Sequence, residues 1–229
     1  MNDINKELIP SMRETLFETD GNNFKDTLIE IAETGLDYVL NDGLVKDIPV
    51  INTLASLCKT GYNIHERNLI KQTAEFINAF NSGNLTEEEI EKHKQELDND
   101  PKKAEREIGR VMLLLSKNID TKKSKVQGSF YRNYVSGVID WSEFCELSDV
   151  NSRMFTSDYF LLEDIMCEPK YENNGYPSDN LHRISRLQAL GLVIEKNVVT
   201  SEDQTLVFLG ANQKYDISTL GKMFARLME

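Results

Sequence analysis

The chain has 229 residues, 40% of them apolar and 28% charged, which suits a globular protein able to bury a sizeable core as one large domain or two modest ones. No window reaches the roughly 18 uninterrupted apolar residues of a membrane-spanning helix, and the opening "MNDINKELIP" lacks the charged-then-apolar layout of a signal peptide, so the expected compartment is cytoplasmic. The formal charge of −12 is spread over both ends: residues 156–229 carry seven Lys and Arg against eleven Asp and Glu, the remainder nineteen against twenty-seven, so neither region is a basic face of the kind that phosphate backbones attract.

The first twenty or so residues are polar and read as a loose arm or one short helix. From Phe24 the pattern turns helical, with Phe24, Leu28, Ile31, Gly35 and Val39 on one stripe, until "NDG" at Asn41–Gly43 stops it. Asp47, Ile48 and Pro49 mark a new start, because proline is tolerated in a first helical turn. Helix is then expected to about Gly83, bent or broken at Gly61.

Thr86 and Glu89 form a capping box for a highly charged helix to about Leu97, and Asp100 with Pro101 opens another. The end of that helix, "IGRVMLLLSKNI", is apolar on nearly all sides and predicts central core. Past the lysines at Lys122, Lys123 and Lys125, Phe130, Tyr134 and Val138 keep helical spacing, Gly137 lies near a turn, and Asp140 with Glu143 caps a helix carrying Trp141, Phe144 and Leu147.

The last third changes character. Thr156 caps a helix with Phe160, Leu161, Ile165 and Met166, and the Pro/Asn/Gly-rich "EPKYENNGYPS" follows as a loop. Ser178 or Asp179 caps the next helix, which Gly191 ends in a left-handed conformation. Strand-like stretches come at 192–199, at 205–209 and at "KYDIS", before a closing helix from Ser218 or Thr219 to Met228. This order of elements fits a mainly α chain: an α-helical bundle over 1–155, then a winged-helix-like domain with a small β-hairpin over 156–229.

In that domain the helix from Asn180 to Leu190 is the one a winged helix would present. On a helical wheel Leu181, Ile184, Leu187 and Leu190 fill the inner half with Gln188 among them, His182, Ser185, Arg186 and Ala189 face outward, and Arg183 lies at the border. An outward Arg186 predicts that Arg186→Ala is nearly silent. Contact with a partner or with nucleic acid would fall to His182, Arg183, Ser185, Arg186 and the wing cation Lys196, but Asp179, Glu195, Glu202 and Asp203 surround them, which ranks DNA reading below protein contact.

The stretches "TSDYFLLEDI", "NLHRISRLQALGLVI" and "KYDISTLGKMFARL" resemble the C-terminal module of uncharacterised bacterial proteins related to the abortive-infection alpha family. The matching positions are Leu190, Gly191, Leu192, Ser218, Leu220, Gly221 and Phe224, and they are mostly of structural type. The resemblance implies a setting, phage defence, and no reaction.

No catalytic constellation stands out. His65, His93 and His182 are dispersed, and His65 in "NIHERN" lacks the second histidine of a helical zinc site, so it reads as a surface or cap side chain. Glu87, Glu88, Glu89 and Glu91 read as a solvated helix face. Cys58, Cys145 and Cys167 are odd in number and far apart, as expected of buried free thiols. Neither a phosphate-binding glycine loop nor a nucleophile elbow is present. No cofactor and no metal is expected.

Between Gly43 and Ile64, the stripe of Val50, Ile51, Leu54 and Leu57 is either bundle core or a membrane or assembly segment, and its sparse basic residues favour core. The sequence thus points to a non-enzymatic bacterial or phage-related protein acting through protein contact or self-association. A DNA-binding regulator and a membrane-perturbing effector are the alternatives.

Overall fold

The computed structural model describes residues 3–18, 25–33, 48–57, 63–167, 171–172, 180–196 and 214–228. Among them are eleven helices and three short strands. In chain order these are α1 (Asp3–Phe17), α2 (Lys25–Glu33), α3 (Pro49–Leu57), α4 (Ile64–Asn81), α5 (Glu87–Asn99), α6 (Pro101–Lys117), α7 (Thr121–Val135), α8 (Trp141–Arg153), α9 (Thr156–Cys167), β1 (Tyr171–Glu172), α10 (Leu181–Ala189), β2 (Val193–Lys196), β3 (Lys214–Ile217) and α11 (Thr219–Leu227). The protein is mainly helical, with a small antiparallel sheet.

Local chemistry sets several of the helix starts. Asn63 and Glu66 close a capping box on α4, and Thr86 and Glu89 do the same for α5, each pair satisfying amide hydrogens that a helix start leaves without partners. The Asp100 carboxylate accepts the amides of Lys102 and Lys103 while Pro101 takes the first helical position of α6. Asp140 and Glu143 exchange the same pair of bonds at the start of α8. The first residues form a full helix, α1, which buries Leu8, Met12, Leu16 and Phe17.

Two compact units result, Met1–Ser148 and Asp149–Glu229, a division that falls inside α8, seven residues before the boundary expected from the sequence. Among the described residues of the first unit the most extensive pairing is α4 with α7. Gly128 permits it, because a Cβ there would lie on the Phe76 carbonyl oxygen and against Ala79. Buried side chains then bond α4 to α7 and to the turn before it: Ser124 Oγ donates to Gln72 Oε1 (2.6 Å), Asn118 Nδ2 to Ser124 (2.9 Å) and Gln72 Nε2 to the Ile119 carbonyl (2.8 Å). Phe76 and Phe80 of α4 lie against Tyr131 of α7.

Helix α6 departs from its expected all-round burial. Ile108, Val111, Met112 and Leu115 are buried at steps of three and four, whereas Leu113 is 55% exposed and Ile119, just beyond the helix, 84% exposed. The neighbouring helices cover one stripe of α6, and the surplus apolar residues face solvent. The thiols also differ from expectation: Cys145 is half-buried, Cys167 is exposed at the end of α9, and Cys58 lies outside the described residues.

In the second unit the strand order is β1-β3-β2, both pairings antiparallel, with Val193 opposite Ile217 and Lys196 opposite Lys214. The expected caps at Ser178 and Asp179, the strand at 205–209 and the residues at 34–47 and 58–62 lie outside the described residues. Gly191, at φ 74°, ends α10: its amide donates to the Gln188 carbonyl and that of Leu192 to the Leu187 carbonyl. Ser218 locks this turn to the start of α11. Its amide donates to the Leu192 carbonyl, its hydroxyl donates to the Gly191 carbonyl, and its Oγ accepts the Gly221 amide. Gly221 lies so close to the Leu192 carbonyl that a Cβ would overlap it. Gly191, Leu192, Ser218 and Gly221 thus form the joint between α10, β2 and α11.

Two glycines test this packing in opposite directions. Gly128→Ala should destabilise by about 1–3 kcal/mol, because α4 has no room to yield. Gly109→Ala in α6, whose Cβ meets nothing within 4 Å, should stabilise by up to about 1 kcal/mol. Chemical denaturation of the two variants beside the parent reads both signs.

Candidate functional site

Helix α10 brings Ile184 and Leu187 into the core of the second unit and leaves His182, Ser185 and Ala189 exposed, as the wheel predicts. Leu181, expected inside, is 36% exposed, and Leu190 is half-buried. Arg183 is half-buried, with Nη1 3.3 Å from Asn180 Oδ1. The strand β2 includes Lys196, whose side chain lies outside the described part.

Arg186 corrects the outward, dispensable placement. Its Nε and Nη2 donate to the two carboxylate oxygens of Asp158, at 3.1 and 2.6 Å, and its guanidinium lies 4.7 Å from the centre of the Phe155 ring. Asp158 is fully buried in the first turn of α9, where the Phe155 amide also donates to it. The bond to Asp158 raises the Arg186 pKa above its usual value. A buried carboxylate requires a partner that supplies both charge and hydrogen bonds, and this requirement turns Arg186 inward along the surface. The sequence held a signal for it: Asp158 occupies the same stripe as Leu161, Leu162 and Ile165, at offsets zero, three, four and seven.

The other segment singled out by sequence, 43–64, shows the character of core where it is described. Val50, Ile51 and Leu54 are buried in α3, which packs on α1 and α4, and Leu57 is half-buried. The Thr15 hydroxyl of α1 accepts the Val50 amide at 3.0 Å. No helix among the described residues is long and apolar enough to cross a membrane.

A site that sequence spacing did not reveal lies in the first unit. Glu107 of α6 is wholly buried; Tyr134 Oη donates to its Oε1 at 2.6 Å, and His93 Nε2 lies 3.2 Å from its Oε2. Lys103 Nζ stands 3.8 Å from the same carboxylate and also bonds Glu96. His93 is 5% exposed, enclosed by the rings of Phe17, Tyr131 and Tyr134. The Tyr131 hydroxyl is buried with no hydrogen-bond partner among the described residues. Burial, with Glu107 nearby, pushes the Tyr131 pKa well above its usual value, and burial plus the bond to Glu107 does the same for Tyr134.

The three members come from α5, α6 and α7, at separations of 14 and 27 residues, so local spacing could not join them. The available signal was again an acid inside an apolar stripe, Glu107 among Ala104, Ile108 and Val111. His65, by contrast, is exposed in the first turn of α4. Among the described residues no group of three His, Cys, Asp or Glu side chains is arranged to hold a metal ion. No family model, curated protein or solved structure matches the chain.

Removing Arg186 should leave the buried Asp158 without its bidentate partner, so Arg186→Ala should cost about 3 kcal/mol, the lower end of the range for broken buried pairs because the arginine is partly exposed. That approaches the cost of about 2–5 kcal/mol expected for Leu187→Ala. Thermal melts of the two variants compare them directly, and a silent Arg186→Ala would restore the outward assignment.

The raised pKa values of Tyr131 and Tyr134 carry a definite sign. The unfolded chain releases these protons first, so the stability they contribute is complete below the unfolded value of about 10 and is lost as pH rises above it. Urea unfolding from pH 8.5 to 11 should show a shallower alkaline decline, relative to the parent, in Tyr134→Phe.

Proposed function

We propose that the chain is a non-enzymatic protein that works through protein contact or self-association, and that its second unit is a winged-helix-like module used for contact and not for reading DNA. The strand order β1-β3-β2, with α10 leading directly into β2, supports the winged-helix reading of this unit. The engagement of Arg186 with Asp158 carries the functional choice. It occupies the cation best placed to meet a phosphate or a guanine edge.

The module as a whole is net acidic, and part of its surface is apolar. Residues 197–213, between β2 and β3, contain no Lys or Arg and include Glu202 and Asp203. Leu181, Ile194, Phe155, Phe160 and Met166 are exposed in this unit. Exposed apolar side chains beside polar ones suit a protein partner better than a polyanion. The proposed setting is phage defence, supported by the resemblance at Leu190–Leu192 and Ser218–Phe224.

In a mobility-shift assay at physiological salt, duplex DNA should stay free. In sedimentation velocity over a micromolar concentration series the chain should self-associate, and Leu181→Arg with Ile194→Arg should abolish this without changing the thermal melt. Sequence-selective duplex binding at that salt, lost in Arg183→Ala, would overturn the reading in favour of a DNA-binding regulator.

A further inference from the structure

The concave space in the first unit, about 450 Å³, lies between α5 and the turn that joins α7 to α8. That is within the range that small-molecule sites occupy, roughly 300–1,000 Å³. Its lining combines charge of one sign with an apolar wall. Glu89, Glu96, Asp140 and Glu143 face it against Lys92, and Tyr134, Val135, Val138 and Ile139 supply ring and aliphatic surface.

The acidic side chains alone would not define a ligand, since Glu89, Asp140 and Glu143 also cap helices. His93 provides a separate observation. It lines this space, is 95% buried, and bonds Glu107 through Nε2, while Nδ1 has no hydrogen bond among the described residues. In the neutral tautomer that donates Nε2–H to Glu107, Nδ1 presents a lone pair. Tyr134 holds the other carboxylate oxygen, so the ring is fixed in orientation by its partner as well as by packing. An accessible acceptor on a side chain 95% buried, beside a rim of carboxylates, suits a ligand that donates hydrogen bonds and bears positive charge.

We propose that this space is a binding site for a small organic cation, a primary ammonium on a short apolar body. One ammonium proton bonds His93 Nδ1 and the others face the rim carboxylates, while the body lies on Val135, Val138 and Ile139. The Tyr134 ring adds cation–π attraction. The site lies wholly within the first unit, and it is a function separate from contact through the second.

The test is a titration of the full chain carrying 15N-labelled histidine, at a pH where n-butylamine is protonated and free imidazole is neutral, with n-butylamine, n-butanol and sodium butyrate as probes. n-Butylammonium should shift the His93 Nδ1 resonance saturably at millimolar concentration and leave those of the exposed His65 and His182 in place. The alcohol and the carboxylate should do neither. The triple variant Glu96→Gln, Asp140→Asn, Glu143→Gln keeps cap acceptors and removes three charges, and should weaken binding by about ten-fold or more, with circular dichroism confirming its fold. Equal response to the alcohol, preference for the carboxylate, unchanged affinity in the folded triple variant, or no saturable shift of His93 in the parent chain would each overturn the proposal.

Discussion

The close approach of α4 and α7 at Gly128 is the constraint from which the rest of the first unit follows. Because α7 lies with its backbone against Phe76, its next turn brings Tyr131 between Phe76 and Phe80, and Arg132 reaches the end of α4, where Nη1 donates to the Ala79 carbonyl at 2.7 Å. Three residues beyond Tyr131 on the same helix, the Tyr134 hydroxyl meets Glu107. The chain then turns through Gly137 at φ 75°, with the amide of Val138 on the Asn133 carbonyl, and starts α8 on the Asp140 cap. The aromatic cluster, the buried carboxylate and the wall of the concave site are therefore consequences of one missing Cβ.

Burial of polar groups is the second theme, and the two units meet it in different ways. Glu107 is satisfied by a phenol and an imidazole, with a lysine at the edge; Asp158 is satisfied by a bidentate guanidinium and a backbone amide. Either arrangement costs desolvation that only well-formed hydrogen bonds offset, so neither is strong grounds for stability. What each does supply is a unique geometry, since a buried carboxylate tolerates few alternative packings.

How much of this was legible in the sequence depended on distance along the chain. The boxes Thr86–Glu89 and Asp140–Glu143, the Asp100–Pro101 start, the Gly191 stop and the Ser218 cap were all readable, because each partner lies within a few residues and backbone chemistry alone decides the outcome. The burial of Ile184 and Leu187 followed from period alone. The Arg186–Asp158 pair, 28 residues apart, and the His93–Glu107–Tyr134 group were not, since a wheel treats every charge as outward and has no knowledge of which neighbour offers a buried acid. The exposure of Leu113 was missed for the converse reason, that periodicity shows which residues favour burial and not how much partner surface exists.

The Arg186–Asp158 pair also bears on how α10 can be used. Asp158 belongs to the start of α9 and Arg186 to the middle of α10, so the pair fixes the rotation of α10 about its axis relative to α9. The Leu192–Ser218 bonds fix the other end of that helix against α11. A helix held at both points presents a set face, here His182, Ser185 and Ala189 with Leu181 at the start of the helix. Recognition by a set face costs little ordering entropy, and its specificity then rests on shape and apolar fit. To meet phosphates instead, Arg186 would have to leave a buried carboxylate uncompensated, and that penalty is the physical ground on which the proposed reading ranks protein contact above nucleic acid.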